Sequence, residues 1–316
     1  MASRRPVSLL LPALSLVLVS GALFGGCSGG GVGEDAGAGD VPVYAYTVEA
    51  SHPHDTDNFT QGLCLVDGVL YEGTGLWGRS RLIKSGFPSG EPVASLPLAP
   101  EHFGEGVTVM GDEVFQLTYT SHLCFVYDRD DLGLKRTFTY PTEGWGLSHD
   151  GSSLIMSDGT SYIHYLDPLT GEETRRVQVS DGDRPVANLN ELEYVDGVLY
   201  ANIWKSDLIA AVDPETGKVK AWIDLTGLNP EPDRLVDPYV LNGIAWDSEN
   251  GHLLVTGKCW PYLFRLSLHD PSRPQESDEE GKRTSGRLRL LSAIRGSPSI
   301  YLPTASPCPS LSQALY

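Results

Sequence analysis

Two sets of five residues occupy equivalent places in the sequence and could together form a reactive site. The first set stands one residue before a glycine or its equivalent and consists of Gln61, Glu105, Trp145, Asn190 and Asn242. The second set stands four residues after an apolar strand position and consists of Gly75, Tyr119, Gly159, Trp204 and Lys258. Together they supply one carboxylate, three carboxamides, three aromatic rings and one amine. Polar groups on strand ends and loops of a rigid scaffold commonly form binding and catalytic sites.

Each of these residues also has a purely structural interpretation. Glu105, between two glycines, could be a turn carboxylate that accepts backbone N–H groups. The two asparagines could cap strand starts, and the two tryptophans could belong to the core. Lys258 follows the run LLVTG, where an ammonium must be solvated or paired, and Glu105 is the partner we expect. The coincidence of all these side chains at equivalent positions favours a functional site.

A strand–turn–strand pattern that recurs five times explains the equivalence. It occupies residues 59–75, 103–120, 143–159, 189–204 and 241–258. Aligned on an apolar residue of the second strand, successive copies are 44, 40, 45 and 54 residues apart. A third strand follows each copy, and an Asp-Pro turn ending in Thr-Gly leads to a fourth strand in two of them.

Repeats of three or four short strands at this spacing predict an all-β fold, a five-bladed β-propeller. The last repeat is one outer strand short, and the alternating stretch VYAYTVEA (residues 43–50) is predicted to supply it and close the ring. Closure removes sheet edges that would otherwise invite aggregation. Because each first strand begins where its antiparallel partner ends, both sets of residues are predicted to lie on one face, around the central channel.

Composition limits the partners of the protein. The 316 residues include 23 basic and 41 acidic side chains, and the net charge is −18. This charge argues against nucleic acid and against an anionic membrane surface as partners. Cys64 and Cys124 lie in apolar runs and are expected to be buried, and the cysteine and histidine spacings contain no zinc motif. His52 and His54 are expected to be solvated residues that lead into a strand.

The ends of the chain differ in character from the repeats. Residues 1–26 are predicted to be a signal peptide, because arginines precede an apolar run that ends in small residues. The following Cys27 resembles the lipidated cysteine of bacterial lipoproteins, so we expect an exported protein anchored by lipid in the periplasm or cell envelope. A plain secretory signal and an uncleaved anchor are the alternatives. Residues 27–41 predict a flexible linker, 42–268 the propeller catalytic domain, and 269–316 a divergent tail that is poorly ordered or packs as an extension.

Several motifs in order resemble those of the plant and bacterial type of glutamine cyclotransferase, a family of five-bladed propellers. They are PHDTDNFTQGL, YEGTGLWGRS, HFGEGVTV, FQLTYTS, EGWGLSHDG, LIMSDGT, LNELEYVDGVLYANIW, LNGIAWD and LLVTGKCWP. The resemblance implies conversion of the N-terminal glutamine of peptides to pyroglutamate with release of ammonia. The chemistry of this reaction requires no cofactor, although a structural divalent cation in the channel is compatible with it. We expect a monomer, with peptides or proteins that begin with glutamine as partners.

The resemblance also assigns roles to individual residues. Glu105 of the FGEG motif becomes the proton shuttle, and Asn190 and Lys258 complete the catalytic centre. The residues that correspond to the walls of the family's substrate-binding pocket are Phe59, Gln61, Phe103, Tyr119, Trp145 and Trp204. Tyr119 departs from the family, which has Trp in the corresponding QLTW motif, so an aromatic wall is kept and a hydroxyl is added.

Two other functions are compatible with the residues themselves. A propeller that binds peptide N-termini without turnover would need the same walls. A metal-dependent, lactonase-like hydrolase would need a metal centre, which Glu105, Asn190 and Asn242 could imitate. The Lys258 ammonium argues against the second alternative, because a cation beside a metal ion weakens metal binding.

Overall fold

The computed structural model describes residues 41–229 and 239–271. The predicted signal peptide, Cys27, the linker up to residue 40 and the tail beyond residue 271 lie outside this part, so the expectations for them stay predictions. Within the described ranges the regular elements are all β-strands, which confirms the all-β prediction. No helix long and apolar enough to cross a membrane occurs in them.

Three antiparallel sheets of four strands follow one another along the chain. The first contains β2 (Thr60–Val66), β3 (Val69–Thr74), β4 (Arg81–Gly86) and β5 (Pro92–Pro97). The second contains β6 (Gly104–Met110), β7 (Glu113–Thr118), β8 (Leu123–Asp128) and β9 (Leu134–Thr139). The third contains β10 (Leu147–His149), β11 (Leu154–Ser157), β12 (Tyr162–Leu166) and β13 (Glu173–Gln178).

The fourth and fifth repeats share one eight-stranded sheet. The fourth contributes β16 (Leu189–Val195), β17 (Val198–Ile203), β18 (Leu208–Val212) and β19 (Val219–Asp224). The fifth contributes β20 (Leu241–Asp247), β21 (His252–Gly257) and β22 (Tyr262–His269). A two-stranded sheet of β14 (Ser180–Asp181) and β15 (Arg184–Pro185) precedes them.

Strand β1 (Val43–Pro53) supplies the outer strand that the last repeat is predicted to lack. It pairs antiparallel with β22 from Ala45 to Pro53. Its first residues, Val43 and Tyr44, also pair with β19 in the parallel direction, and this contact merges the two repeats into one sheet. The start of the described chain is therefore hydrogen-bonded to its last strand, as expected.

Apolar clusters lie between consecutive repeats. Each combines side chains from two neighbours: Tyr71 with Val107, Phe115 with Leu154, Ile155 with Leu189, Ile209 with Ile244, and Leu254 with Leu63. The last pair joins the fifth repeat to the first. The hydrophobic contacts thus run from repeat to repeat and return to the start, so each repeat buries apolar surface against both of its neighbours.

The backbones of the inner strands approach one another closely where four repeats have glycine. A Cβ on Gly62 would lie 2.3 Å from the Val107 nitrogen, and one on Gly146 would lie 2.1 Å from the Asn190 carbonyl oxygen. The fourth repeat has Glu191 at the equivalent position, and this side chain is fully buried. Its carboxylate accepts backbone hydrogen bonds from Leu63 at 3.1 Å and from Ile244 at 2.6 Å. Glu191 therefore bridges the first and fifth repeats at the centre of the fold.

The cysteines of the sheets behave as expected from their apolar surroundings. Cys64 and Cys124 are buried free thiols, and burial raises the pKa of both. Cys259, for which the sequence assigned no pairing, is disulfide-bonded.

Candidate active site

Backbone hydrogen bonds bring both predicted sets of residues to the same edge of the sheets. In four repeats, the residue of the second set donates its backbone N–H to a carbonyl at the start of the first strand. This carbonyl belongs to the residue two positions before the first-set residue of the same repeat. The donors are Gly75, Tyr119, Trp204 and Lys258, at 2.8, 2.9, 2.8 and 2.9 Å. These bonds extend the antiparallel hydrogen bonding between the first two strands of each repeat by one residue pair. The two residues of each pair therefore lie at the same end of their sheet.

Three side chains of the first set form one hydrogen-bonded chain. Asn242 donates from Nδ2 to Oε1 of Gln61 at 3.2 Å, and Gln61 donates from Nε2 to Oε1 of Glu105 at 3.0 Å. All three side chains are buried. Asn242 also donates to the Thr60 carbonyl at 3.0 Å, so it links the fifth repeat to the first. The chain joins the fifth, first and second repeats and leaves one oxygen of Glu105 for another partner.

Glu105 is a buried carboxyl group rather than a turn carboxylate. It lies in β6 and is 5% exposed. Burial raises its pKa well above the ordinary range, the positive charge of Lys258 opposes the increase, and the negative charge of Glu143 adds to it. Desolvation outweighs the ammonium, which the sequence could not decide.

Lys258 lies against the aromatic wall of the site. Its Nζ is 4.7 Å from the centre of the Phe59 ring, and the residue is 5% exposed. An ammonium above an aromatic face is stabilised by the ring quadrupole, which partly replaces lost hydration. Its charge lowers the pKa of Glu105.

Phe103 is the centre of an aromatic cluster at the first and second repeats. Its ring makes edge contacts with Phe59, Trp77 and Tyr119, at centroid distances of 6.2, 5.7 and 6.0 Å. Phe59 and Phe103 are buried, while Trp77 and Tyr119 are half-buried. A Cβ on Gly75 would lie 2.4 Å from the Phe103 ring, so the ring can occupy this position only because residue 75 is a glycine. Sequence reasoning missed Trp77, although the motif YEGTGLWGRS contains it.

Trp145 and Trp204 form the wall on the third and fourth repeats. Their rings meet edge to face at 5.3 Å, and both are half-buried rather than enclosed in the core. Trp145 donates from Nε1 to Oε2 of Glu143 at 3.1 Å. Burial and the negative charge of Glu143 raise the pKa of Tyr119. Glu143 thus acts on both walls, through its hydrogen bond with Trp145 and through its charge on the Tyr119 hydroxyl.

Asn190 is tied to the third repeat by close backbone packing. The residue is the second of the inner strand β16 and is 3% exposed. Its carbonyl accepts a hydrogen bond from the Ser157 hydroxyl at 2.6 Å and lies against Gly146. Gly106, directly after Glu105, donates its N–H to the Trp145 carbonyl at 2.7 Å. The backbones that carry the predicted catalytic residues are therefore in contact from the second repeat to the fourth.

One expectation for a histidine near the site is wrong. His54 is not solvated: its side chain is 4% exposed and lies 3.1 Å from Glu72. The first repeat packs against the fifth at this point and covers the ring, which a local pattern in the sequence cannot show.

No group of three or more His, Cys, Asp or Glu side chains that could hold a metal ion occurs in residues 41–229 and 239–271. Glu105 and Asn242, two residues that could imitate a metal centre, are instead linked through Gln61.

This arrangement, a buried carboxyl group with an ammonium and carboxamides inside aromatic walls, defines an all-β protein with a site for acid–base chemistry. Comparisons with known proteins assign it further. Residues 23–268 match the family model described as glutamine cyclotransferase. The chain is 37% identical over 285 residues to glutaminyl-peptide cyclotransferase of Arabidopsis thaliana, covering 85% of this chain and 86% of that protein.

A solved structure agrees with the sequence comparisons. The crystal structure of Myxococcus xanthus glutaminyl cyclase superposes with a TM-score of 0.67 at 35% identity, covering 72% of this chain and 98% of that one. The chain belongs to the glutamine cyclotransferase family, which confirms the resemblance seen in the motifs. It is accordingly an enzyme, an acyltransferase with glutaminyl-peptide cyclotransferase activity.

Proposed function

We propose that the site cyclises the N-terminal glutamine of peptides and proteins and that Glu105 moves the proton this reaction requires. The observation that supports this role is the position of Glu105, buried beside Lys258 and held by Gln61, with its pKa raised by burial. A group that must first accept a proton and then return it works best when its pKa lies near the operating pH. An ordinary exposed glutamate is too weak a base for that task.

The proposed reaction is an intramolecular acyl transfer. The α-amine nitrogen attacks the side-chain amide carbon, a new C–N bond forms, and the bond to the amide nitrogen breaks. Glu105 takes a proton from the attacking amine and gives it to the departing nitrogen, which leaves as ammonia. Both reactants belong to one residue, so the enzyme has to select a conformation, and good positioning can contribute as much as ~7–11 kcal/mol.

Lys258 and Asn190 are proposed to stabilise the oxygen of the amide as its carbon becomes tetrahedral. Each well-placed donor of this kind typically contributes roughly 3 kcal/mol to the transition state. The Phe59, Phe103, Tyr119, Trp145 and Trp204 rings would hold the glutamine side chain, and Gln61 would keep Glu105 in place. Since the floor of the site is buried and Tyr119, Trp145 and Trp204 are half-buried, the rest of the peptide would leave past these three rings.

We further propose that the five repeats are the blades of a five-bladed propeller. The series of apolar clusters that returns from the fifth repeat to the first supports this count. The eight-stranded sheet is then two blades that β1 connects through its parallel contact with β19.

The location of the enzyme is a separate proposal. We propose export and attachment to the cell envelope through a lipid on Cys27, on the sequence pattern of residues 1–27. A Cys27→Ser variant should then move from the membrane fraction to the soluble fraction of the producing cells. Retention of the variant in the membrane fraction would contradict lipidation.

A direct experiment tests the activity. Purified protein is incubated with a glutamine-initiated peptide and with the same peptide acetylated at its N-terminus, with and without EDTA. We expect loss of one ammonia from the free peptide, none from the acetylated one, and no effect of the chelator. Saturable binding without ammonia release would favour a binding protein, and loss of turnover with EDTA would favour a metal-dependent enzyme.

A further inference from the structure

A buried carboxylate outside the described site gathers hydrogen bonds from three side chains. Glu72, in β3, is 3% exposed. One of its oxygens accepts from the Thr60 hydroxyl at 2.7 Å and lies 3.1 Å from Nε2 of His54, and the other accepts from Nδ2 of Asn58 at 2.7 Å. A carboxylate with this many partners stays in one orientation. Nothing in the proposed chemistry uses it.

His54 extends this network to the fifth repeat. Its Nδ1 is 2.7 Å from the carbonyl oxygen of Trp260, which can only accept, so Nδ1 carries a proton. Its Nε2 faces the Glu72 carboxylate, and a second proton is shared there. Burial alone lowers the pKa of His54. The charge of Glu72 and the hydrogen bonds of His54 with Glu72 and with the Trp260 carbonyl outweigh burial, so the pKa of His54 is raised. The imidazole therefore holds β3 to the segment after β21.

Both ends of the network are next to residues of the site. Asn58 directly precedes Phe59, and its carbonyl accepts the N–H of Cys259 at 2.8 Å. Cys259 directly follows Lys258 and has a φ of 60°, a left-handed conformation that is unfavourable for a residue other than glycine. The chain around Lys258 thus keeps a strained shape, and the hydrogen bonds to Asn58 and, through the Trp260 carbonyl, to His54 are among the contacts that hold it there, together with the disulfide of Cys259.

We propose that Glu72 and His54 are positioning residues that fix Phe59 and Lys258 relative to each other. Glu72 acts on Phe59 through Asn58, and His54 acts on Lys258 through the Trp260 carbonyl. Together, Glu72 and His54 set the distance of 4.7 Å between the Lys258 ammonium and the centre of the Phe59 ring. The proposal rests on the function given to Lys258 above.

The substitution Glu72→Gln tests the proposal. It keeps the size of the side chain but removes the negative charge that faces His54, so the charge-assisted hydrogen bond between the carboxylate and the imidazole is replaced by a weaker neutral one. We expect kcat to fall about 10- to 100-fold, the effect of a small misplacement of a reacting group. The KM should change less than kcat, because Phe59 is the one ring of the walls that adjoins the network. A matched control is Asp247→Asn, which alters another buried carboxylate, at the far end of β20, and should leave kcat unchanged.

A double-mutant cycle separates positioning from general loss of structure. In a Lys258→Met background, Glu72→Gln should cost far less in kcat than in the wild type, because its effect passes through Lys258. An equal cost in both backgrounds would overturn the proposal. Full activity of Lys258→Met itself would instead contradict the proposed role of Lys258, so the two failures are distinguishable.

If Glu72→Gln does not fold, Thr60→Val removes a single donor to the same carboxylate. We expect a smaller decrease of kcat from it, again suppressed in the Lys258→Met background. An unchanged kcat in Thr60→Val would count against the network in that case.

Discussion

The substitution Glu105→Gln should reduce activity and increase stability. The amide keeps the shape of the carboxyl group and can still accept from Gln61 through its oxygen, at the position of the present 3.0 Å contact. It cannot carry a proton between the amine and the leaving nitrogen. Loss of a general acid–base group costs typically ~10²–10⁴-fold in rate. At 1.36 kcal/mol for each factor of ten, the barrier should rise by about 3–5 kcal/mol.

The stability effect follows from the pKa of Glu105. Burial raises this pKa in the folded protein, so the folded state binds a proton more tightly than the unfolded state. Stability is therefore lost as pH rises above the unfolded value of about 4.3 toward the folded pKa. The amide of the Glu105→Gln variant has no charge to desolvate. The variant should be more stable than the wild type at pH 8, and the difference should disappear as pH falls to about 4.

Two measurements on the same protein check the two effects. Ammonia release from a glutamine-initiated peptide gives kcat/KM, and urea unfolding between pH 4 and pH 8 gives the free energy of unfolding. Glu101→Gln, an exposed carboxylate four residues earlier, should change neither. Activity of Glu105→Gln within a few-fold of the wild type would refute the proton shuttle, and a variant that is less stable at pH 8 would refute the role of burial.

Further substitutions test the surroundings of Glu105. Glu143→Gln removes a charge that raises the pKa of Glu105, so the inflection of kcat that belongs to Glu105 should move to lower pH in a pH–rate profile. Gly75→Ala places a methyl group 2.4 Å from Phe103 and should lower kcat/KM by about 10²-fold through displacement of the ring, measured by steady-state kinetics. Glu191→Ala leaves two buried backbone N–H groups without an acceptor and should lower the free energy of unfolding by roughly 2–6 kcal/mol in urea.

The strands could be predicted because each repeat carries its own local signals. Asp67-Gly68 and Asp196-Gly197 join inner strands, and all four residues have positive φ, as the tight turns of β-hairpins require. The alternation of VYAYTVEA likewise predicts β1, and its pairing with β22 is confirmed. Parallel pairing of β1 with β19 has no counterpart in the sequence pattern, since it depends on how two repeats meet in space.

The candidate site could be predicted only where it follows the repeat. Glu105 and Gln61 occupy equivalent positions, and the structure joins them by a hydrogen bond. Glu143 lies on the irregular segment before β10, and the equivalent positions of the first two repeats hold Phe59 and Phe103, so alignment of the repeats does not indicate a carboxylate there. Glu72 stands beside an apolar position of β3, where the sequence pattern alone indicates a solvated carboxylate and the network around His54 is not visible.

The glycines next to the site residues explain how such a distributed site can be accurate. Gln61 and Glu105 each precede a glycine at which even a Cβ would overlap a neighbouring backbone, at 2.3 Å for Gly62 and 2.5 Å for Gly106. Backbones that are already in contact cannot approach further, and the ladder bonds prevent them from separating. The distance between the backbones that carry Gln61 and Glu105 is therefore set by main-chain packing. A site assembled from several repeats then depends less on any single loop than on the contacts between the inner strands of neighbouring repeats.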